Sequence, residues 1–68
     1  MIELSEKLKK LRAESNMFQK TVAEAINVKQ NTLSQFENGT ARPSYEVLVK
    51  LADLYDVTTD YLLGRTDY

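Results

Sequence analysis

Gln19-Lys20-Thr21-Val22-Ala23-Glu24-Ala25-Ile26-Asn27-Val28-Lys29-Gln30-Asn31-Thr32-Leu33-Ser34-Gln35-Phe36-Glu37-Asn38-Gly39 reads as two short amphipathic helices joined by a tight turn, and this stretch decides the fold. Val22, Ala23 and Ile26 recur at helical spacing, the pattern breaks at Asn27, and Leu33 and Phe36 resume it on a new phase. Such a turn needs a left-handed residue, a conformation that asparagine tolerates better than most residues with a side chain. Asn27 therefore belongs to a turn rather than to a helix interior. The small Ala23 lets the second helix approach the first closely and steeply, as in a helix-turn-helix. The outward side chains of the second helix are then Lys29, Gln30, Asn31, Thr32, Ser34 and Gln35, nearly all uncharged hydrogen-bonding groups. Ordinary exposed faces favour Glu, Lys and Arg, whereas amides match the paired donor and acceptor edges of bases in a major groove.

Outward from this stretch, Leu4, Leu8 and Leu11 fall at i, i+4 and i+7, which predicts a first helix from about Ile2 or Ser5 to Ser15. Lys7, Lys9, Lys10 and Arg12 are then outside, Asn16 and Met17 form the link, and Met17 turns inward. Phe18 stands where a Ser or Thr cap is expected before the second helix, and can pack on the first helix as a staple-like contact. Lys29 likewise stands before the next helix without a capping hydroxyl. A cation is unfavourable at a helix N-terminus, which makes more sense if it faces a phosphate or a guanine edge. Leu33 and Phe36 are core, Glu37 pairs with a nearby cation, and Gly39 supplies the left-handed helix end after Asn38.

Pro43-Ser44 opens a fourth helix, with Ser44 as cap, Glu46 in the first turn, and Val47, Leu48, Leu51, Ala52, Leu54 and Tyr55 as a wide apolar stripe to about Asp56. Thr58 caps a fifth short helix with Asp60 in its first turn, and Tyr61-Leu62-Leu63 precede a stop at Gly64. Helix 5 carries more apolar surface than a small monomer easily hides. Tyr61, Leu62 and Leu63 are thus candidates for a dimer interface, with a core role for all three equally open. Residues 65–68 are expected to fray, and the whole of 1–68 to form one domain.

Sixty-eight residues suffice for one core only if the helices pack well, and make a large buried catalytic cavity improbable. The hydrophobic share of 43% with two glycines and one proline is that of a folded helical chain. The absence of cysteine and histidine excludes disulfides, thiol chemistry, zinc fingers and an imidazole base. No run is long enough for a membrane span or signal peptide, so a soluble, cytoplasmic protein is expected. The net charge of −1 and pI of about 5.3 argue against a nucleic-acid partner when taken alone. The distribution softens that objection. Residues 1–44 hold seven basic side chains against five acidic, a balance of +2, and residues 45–68 hold two against five, a balance of −3.

Over roughly residues 8–64 the chain resembles the lambda-repressor-like (Cro and XRE) helix-turn-helix regulators. The carriers are Gln19-x-x-Val22-Ala23-x-x-Ile26-x-Val28, then Thr32-Leu33-Ser34-x-Phe36-Glu37-Asn38-Gly39, Pro43-Ser44, Leu51-Ala52, and Val57-x-x-Asp60-Tyr61-Leu62-Leu63-Gly64. The resemblance implies an all-α, five-helix lambda-repressor-like DNA-binding domain with the helix-turn-helix at helices 2 and 3. It implies base contacts from Gln30, Asn31 and Gln35, with Lys29 and Thr32 beside them. It places Gln19 against a phosphate and against the Gln30 side chain, and Asn38 against a second phosphate. Arg42 becomes the phosphate clamp of the loop Thr40-Ala41-Arg42, with Ser34 and Lys20 as further backbone contacts. The implied function is a homodimeric repressor occluding a promoter at a pseudo-palindromic double-stranded DNA operator. The alternative is a protein-interaction module, of antitoxin or antirepressor-partner type, that keeps the fold with little DNA binding. A stretch like residues 65–68 can lead into a further domain in such proteins. No catalytic group, metal, cofactor, membrane or small-molecule ligand is implied, which leaves a regulatory protein partner as one route of control.

Overall fold

The computed structural model describes residues 3–66. Five helices follow one another: α1 (Leu4–Glu14), α2 (Gln19–Ala25), α3 (Gln30–Asn38), α4 (Tyr45–Tyr55) and α5 (Thr59–Leu62), with no strand among the described residues. The expected all-α, five-helix architecture is what forms. Ile2, the earlier of the two expected helix starts, lies outside the described residues. α1 packs against α3 and α5, α2 against α3, and α4 against α5. Leu8, Val22, Ala23, Ile26, Leu33, Phe36, Leu48, Leu51, Ala52, Tyr55 and Leu62 close the core. Almost every one lies on an apolar stripe visible in the sequence.

The helix ends share one device. Asn16, Asn27, Gly39, Asp56 and Gly64 all take positive φ, between 55° and 84°. After each of them the next residue donates its backbone N–H five residues back: Met17 to Arg12, Val28 to Ala23, Thr40 to Gln35, Val57 to Ala52 and Arg65 to Asp60, at 2.8–3.3 Å. This closure satisfies carbonyls that a helix end leaves open, and an apolar residue just past the left-handed one folds back on the helix. Met17, Val28 and Val57 are those residues, each packed against the core. Met17 turns inward as expected, and Asp56 is a left-handed helix end that the apolar stripe did not mark.

Four details differ from the sequence reading. Lys7, expected in solvent, is 7% exposed: its ammonium donates to the Tyr61 carbonyl at 2.6 Å and sits 4.8 Å from the centre of the Tyr61 ring. A lysine stem is apolar enough to lie along a core when its head finds an acceptor and an aromatic face. Arg12 is half-buried rather than outside, for the reason given below. Phe18 makes no staple on α1; it is 79% exposed. Arg65, placed in a fraying tail, is tied by its backbone to Asp60, whereas Asp67 and Tyr68 lie outside the described residues.

Candidate nucleic-acid interface

α3 is nine residues long and is held from below by Leu33 and Phe36, both buried. With that face fixed, the opposite face is left to Gln30, Asn31 and Gln35, all exposed, with Thr32 and Ser34 half-buried along its flanks. Among the described residues the side chains of Gln30, Asn31 and Gln35 form no hydrogen bond, so their donors and acceptors are free for a ligand. Lys29 and Lys20 are exposed nearby in sequence, at the start of α3 and in the first turn of α2.

Glu37 organises the interior behind this face. It is 3% exposed, accepts from Arg12 Nε at 2.7 Å on one oxygen, and accepts from Gln19 Nε2 at 3.0 Å on the other. Arg12 also donates to the Met17 carbonyl at 3.1 Å. Glu37 and Arg12 together thus tie α1, the link, the first residue of α2 and α3. The hydrogen bond to Glu37 holds the Arg12 pKa above its usual value, against the opposing effect of burial. The pairing expected for Glu37 is therefore with Arg12, and it offsets the charge of a carboxylate that α3 turns into the interior.

The same network corrects the expected Gln19–Gln30 contact. Gln19 gives its amide N–H to Glu37, because a buried carboxylate is a stronger acceptor than a solvated amide. The second N–H of the Gln19 amide has no partner among the described residues. Asn38 Oδ1 accepts from the Thr40 backbone N–H at 3.1 Å and from Thr40 Oγ1 at 2.7 Å, which leaves the Asn38 amide N–H groups as donors. Arg42 is exposed in the loop between α3 and α4. Thr40 and Glu37 are the two partners that sequence reasoning did not connect to these amides: Gln19–Glu37 spans 18 residues, which no short-range pattern carries, whereas Asn38–Thr40 spans two and is a local turn that the Asn38-Gly39-Thr40 run could have signalled.

Tyr55 approaches the same network. Its hydroxyl is buried without a hydrogen-bond partner among the described residues, and its pKa is pushed up to about 12 by burial first and the Glu37 charge second, with Arg12 opposing. At the far end, Leu62 is 1% exposed and belongs to the core. A four-residue helix cannot stand alone and anchors itself through that side chain. Leu62 therefore has no surface to offer a second copy, and the candidate dimer surface contracts to Leu63, exposed, and Tyr61, half-buried. Among the described residues no group of His, Cys, Asp or Glu is arranged to hold a metal, and no helix is long and apolar enough to cross a membrane.

A family model described as helix-turn-helix matches residues 8–62. The chain is 39% identical over 66 residues to the HTH-type transcriptional regulator ImmR of Bacillus subtilis, covering 97% of this chain and 52% of that protein. It is 42% identical over 63 residues to the cryptic phage CTXphi transcriptional repressor RstR of Vibrio cholerae, covering 93% of this chain and 57% of that protein. The chain thus spans about half the length of the curated relatives it matches. Its fold is similar to that of the P22 c2 repressor, solved with a synthetic operator: the TM-score is 0.91 at 23% identity, over 97% of this chain and 100% of that one.

Proposed function

The chain belongs to the helix-turn-helix family, and on that premise we propose that residues 1–68 are the sequence-specific DNA-binding domain of a transcriptional regulator. The observation that carries this reading is the exposed amide face of α3, Gln30, Asn31 and Gln35, on a helix pinned from behind by Leu33, Phe36 and the Glu37 network. Each amide can offer adenine N6 and N7 a matched acceptor and donor, at about 1–3 kcal/mol of discrimination per well-formed pair. Lys29 and Thr32 flank them as further base contacts. Gln19, Lys20, Ser34, Asn38 and Arg42 hold phosphates, which fix register without reading sequence.

A single small domain of net charge −1 has modest affinity for DNA. The regulator accordingly acts as a homodimer, with two recognition helices entering successive major grooves about 34 Å apart on a pseudo-palindromic operator. It represses by occluding a promoter and works in the cytoplasm. The relatives named as repressors support this sign of regulation.

Selection of binding sites from random duplex DNA tests the reading, followed by titration of the enriched site at two salt concentrations. An enriched inverted repeat is expected. Gln30→Ala or Gln35→Ala should lower preference for that repeat with little effect on folding, whereas Arg42→Ala should weaken all DNA alike and flatten the salt slope by about one unit. Equal losses on enriched and random duplexes for the glutamine variants would remove the base-reading assignment. No enrichment at all would favour the protein-interaction module, a reading that the exposed Phe18 would then serve.

A further inference from the structure

Phe18 is 79% exposed and lies outside the core, yet the chain is held on both sides of it. Before it, the Met17 carbonyl accepts from Arg12 at 3.1 Å and the Met17 side chain packs against the core. After it, Gln19 donates to the buried Glu37 at 3.0 Å. The Phe18 carbonyl itself accepts from the Val22 backbone N–H at 3.1 Å. Arg12 and Glu37 pair with each other at 2.7 Å, so one ion pair fixes both neighbours of an unburied ring.

For the isolated domain this arrangement is unfavourable. A Ser or Thr at position 18 would cap α2, whereas Phe18 supplies no side-chain acceptor and buries little of its ring. For binding it is favourable. A ring on a fixed backbone has only its two χ angles left to order when it meets a surface, and preorganised aromatic side chains are the ones that contribute most per contact.

The flanking residues indicate the surface. Gln19, assigned above to a phosphate, keeps a second amide N–H without a partner among the described residues, and Lys20 beside it is exposed. Along a DNA strand phosphates alternate with deoxyribose rings, whose C–H groups are the apolar part of the backbone. We propose that Phe18 is a DNA-backbone contact, its ring lying on the deoxyribose next to the phosphate that Gln19 holds. The inference rests on the DNA-binding reading above and adds an uncharged contact to it. Every nucleotide carries the same sugar, so Phe18 contributes affinity and register rather than sequence preference. No counterion is displaced by a phenyl ring, so its contribution does not depend on salt.

Fluorescence anisotropy of the full chain tests the contact, with a labelled random-sequence duplex and the enriched site at two salt concentrations, and with thermal unfolding of each variant alongside. Phe18→Ala and Phe18→Ser should each weaken binding to both duplexes by about fivefold, with the salt slope unchanged. Phe18→Tyr keeps the ring and should bind within about twofold of wild type. Phe18→Ser should also melt about 4 °C higher, because it gains the missing cap. Affinity that falls while stability rises marks a contact residue. Val49→Ser removes an exposed apolar side chain from α4 and should leave binding unchanged. If the wild type binds and the Phe18 variants bind as it does, the ring does not meet the DNA, while the reading of α3 stands. A loss confined to the enriched duplex, a salt slope flattened by about one unit, or an equal loss in Val49→Ser overturns the sugar contact. A Phe18→Ser that binds less but melts lower makes Phe18 a packing residue and overturns it too. A wild type that binds neither duplex removes the DNA-binding reading and this contact together.

Discussion

The helix-turn-helix pair and the α4–α5 pair solve the start of a helix in opposite ways. α4 and α5 open with Ser44 and Thr58, whose hydroxyls accept from the Val47 and Tyr61 backbone N–H groups at 3.3 and 3.0 Å. α2 and α3 open with Phe18 and Lys29, which take the extended backbone of a cap but supply no side-chain acceptor. The scaffold pair satisfies its own first-turn donors; the pair proposed to meet DNA leaves them open, where an anion is favoured. The faces differ in the same sense. α4 turns Leu48, Leu51, Ala52 and Tyr55 into the core, whereas α3 commits Leu33, Phe36 and Glu37 inward and leaves its amides unpartnered. The α4–α5 pair thus closes its own helix starts, whereas the helix-turn-helix pair leaves its starts and its outer amides open.

The largest test of that division removes the strap that joins the halves of the network. Arg12→Ala leaves Glu37 buried with Gln19 as its remaining side-chain partner, and is expected to cost about 3 kcal/mol in urea unfolding. A loss below about 1 kcal/mol would mean that the helix-turn-helix stands without the tie to α1. Next come the caps, for which the two pairs should respond with opposite signs. Ser44→Ala is expected to destabilise by about 1 kcal/mol, while Phe18→Ser and Lys29→Ser are each expected to stabilise by about 0.5–1 kcal/mol in thermal unfolding. Lys29→Ser should also weaken DNA binding; a variant that gains stability and binds as before would break the link between the open helix start and recognition.

A smaller gain is expected at the end of α4. Asp56 holds a left-handed backbone with φ 56°, a conformation that glycine adopts without a side-chain clash. Asp56→Gly should add about 0.5–1 kcal/mol, measured by denaturant midpoint, and leave DNA binding unchanged. The smallest effect near neutral pH is that of Tyr55→Phe. The hydroxyl it removes is buried without a partner, so stability at pH 7 should stay within about 0.5 kcal/mol of wild type or rise. Tyr55 has a folded pKa raised above the usual value of about 10, so the folded state retains its proton longer than the unfolded chain. That contribution is fully present below about pH 10 and is lost as pH rises towards about 12. Tyr55→Phe should flatten the unfolding profile across this window, and an unchanged profile would place the alkaline transition elsewhere.

The helices and most of their ends were legible in the sequence. Apolar spacing gave the stripes of α1, α2, α3 and α4, Asn27 and Gly39 announced left-handed turns, and Ser44 and Thr58 announced caps, because all these signals act within one or two turns of chain. The amide face of α3 was legible for the same reason: once Leu33 and Phe36 are inward, helical geometry leaves Gln30, Asn31 and Gln35 outward. Which polar side chains are held inside, and by whom, followed from the closed packing of the helices. Lys7 on the Tyr61 carbonyl joins residues 54 apart, Arg12 on Glu37 residues 25 apart, and Gln19 on Glu37 rather than Gln30 residues 18 apart. Charge patterning places such side chains in solvent, since burying one is costly in isolation. The packing of α1 against α3 and α5 supplies the carboxylate, carbonyl and ring that remove that cost, and those partners exist only after the chain has closed on itself.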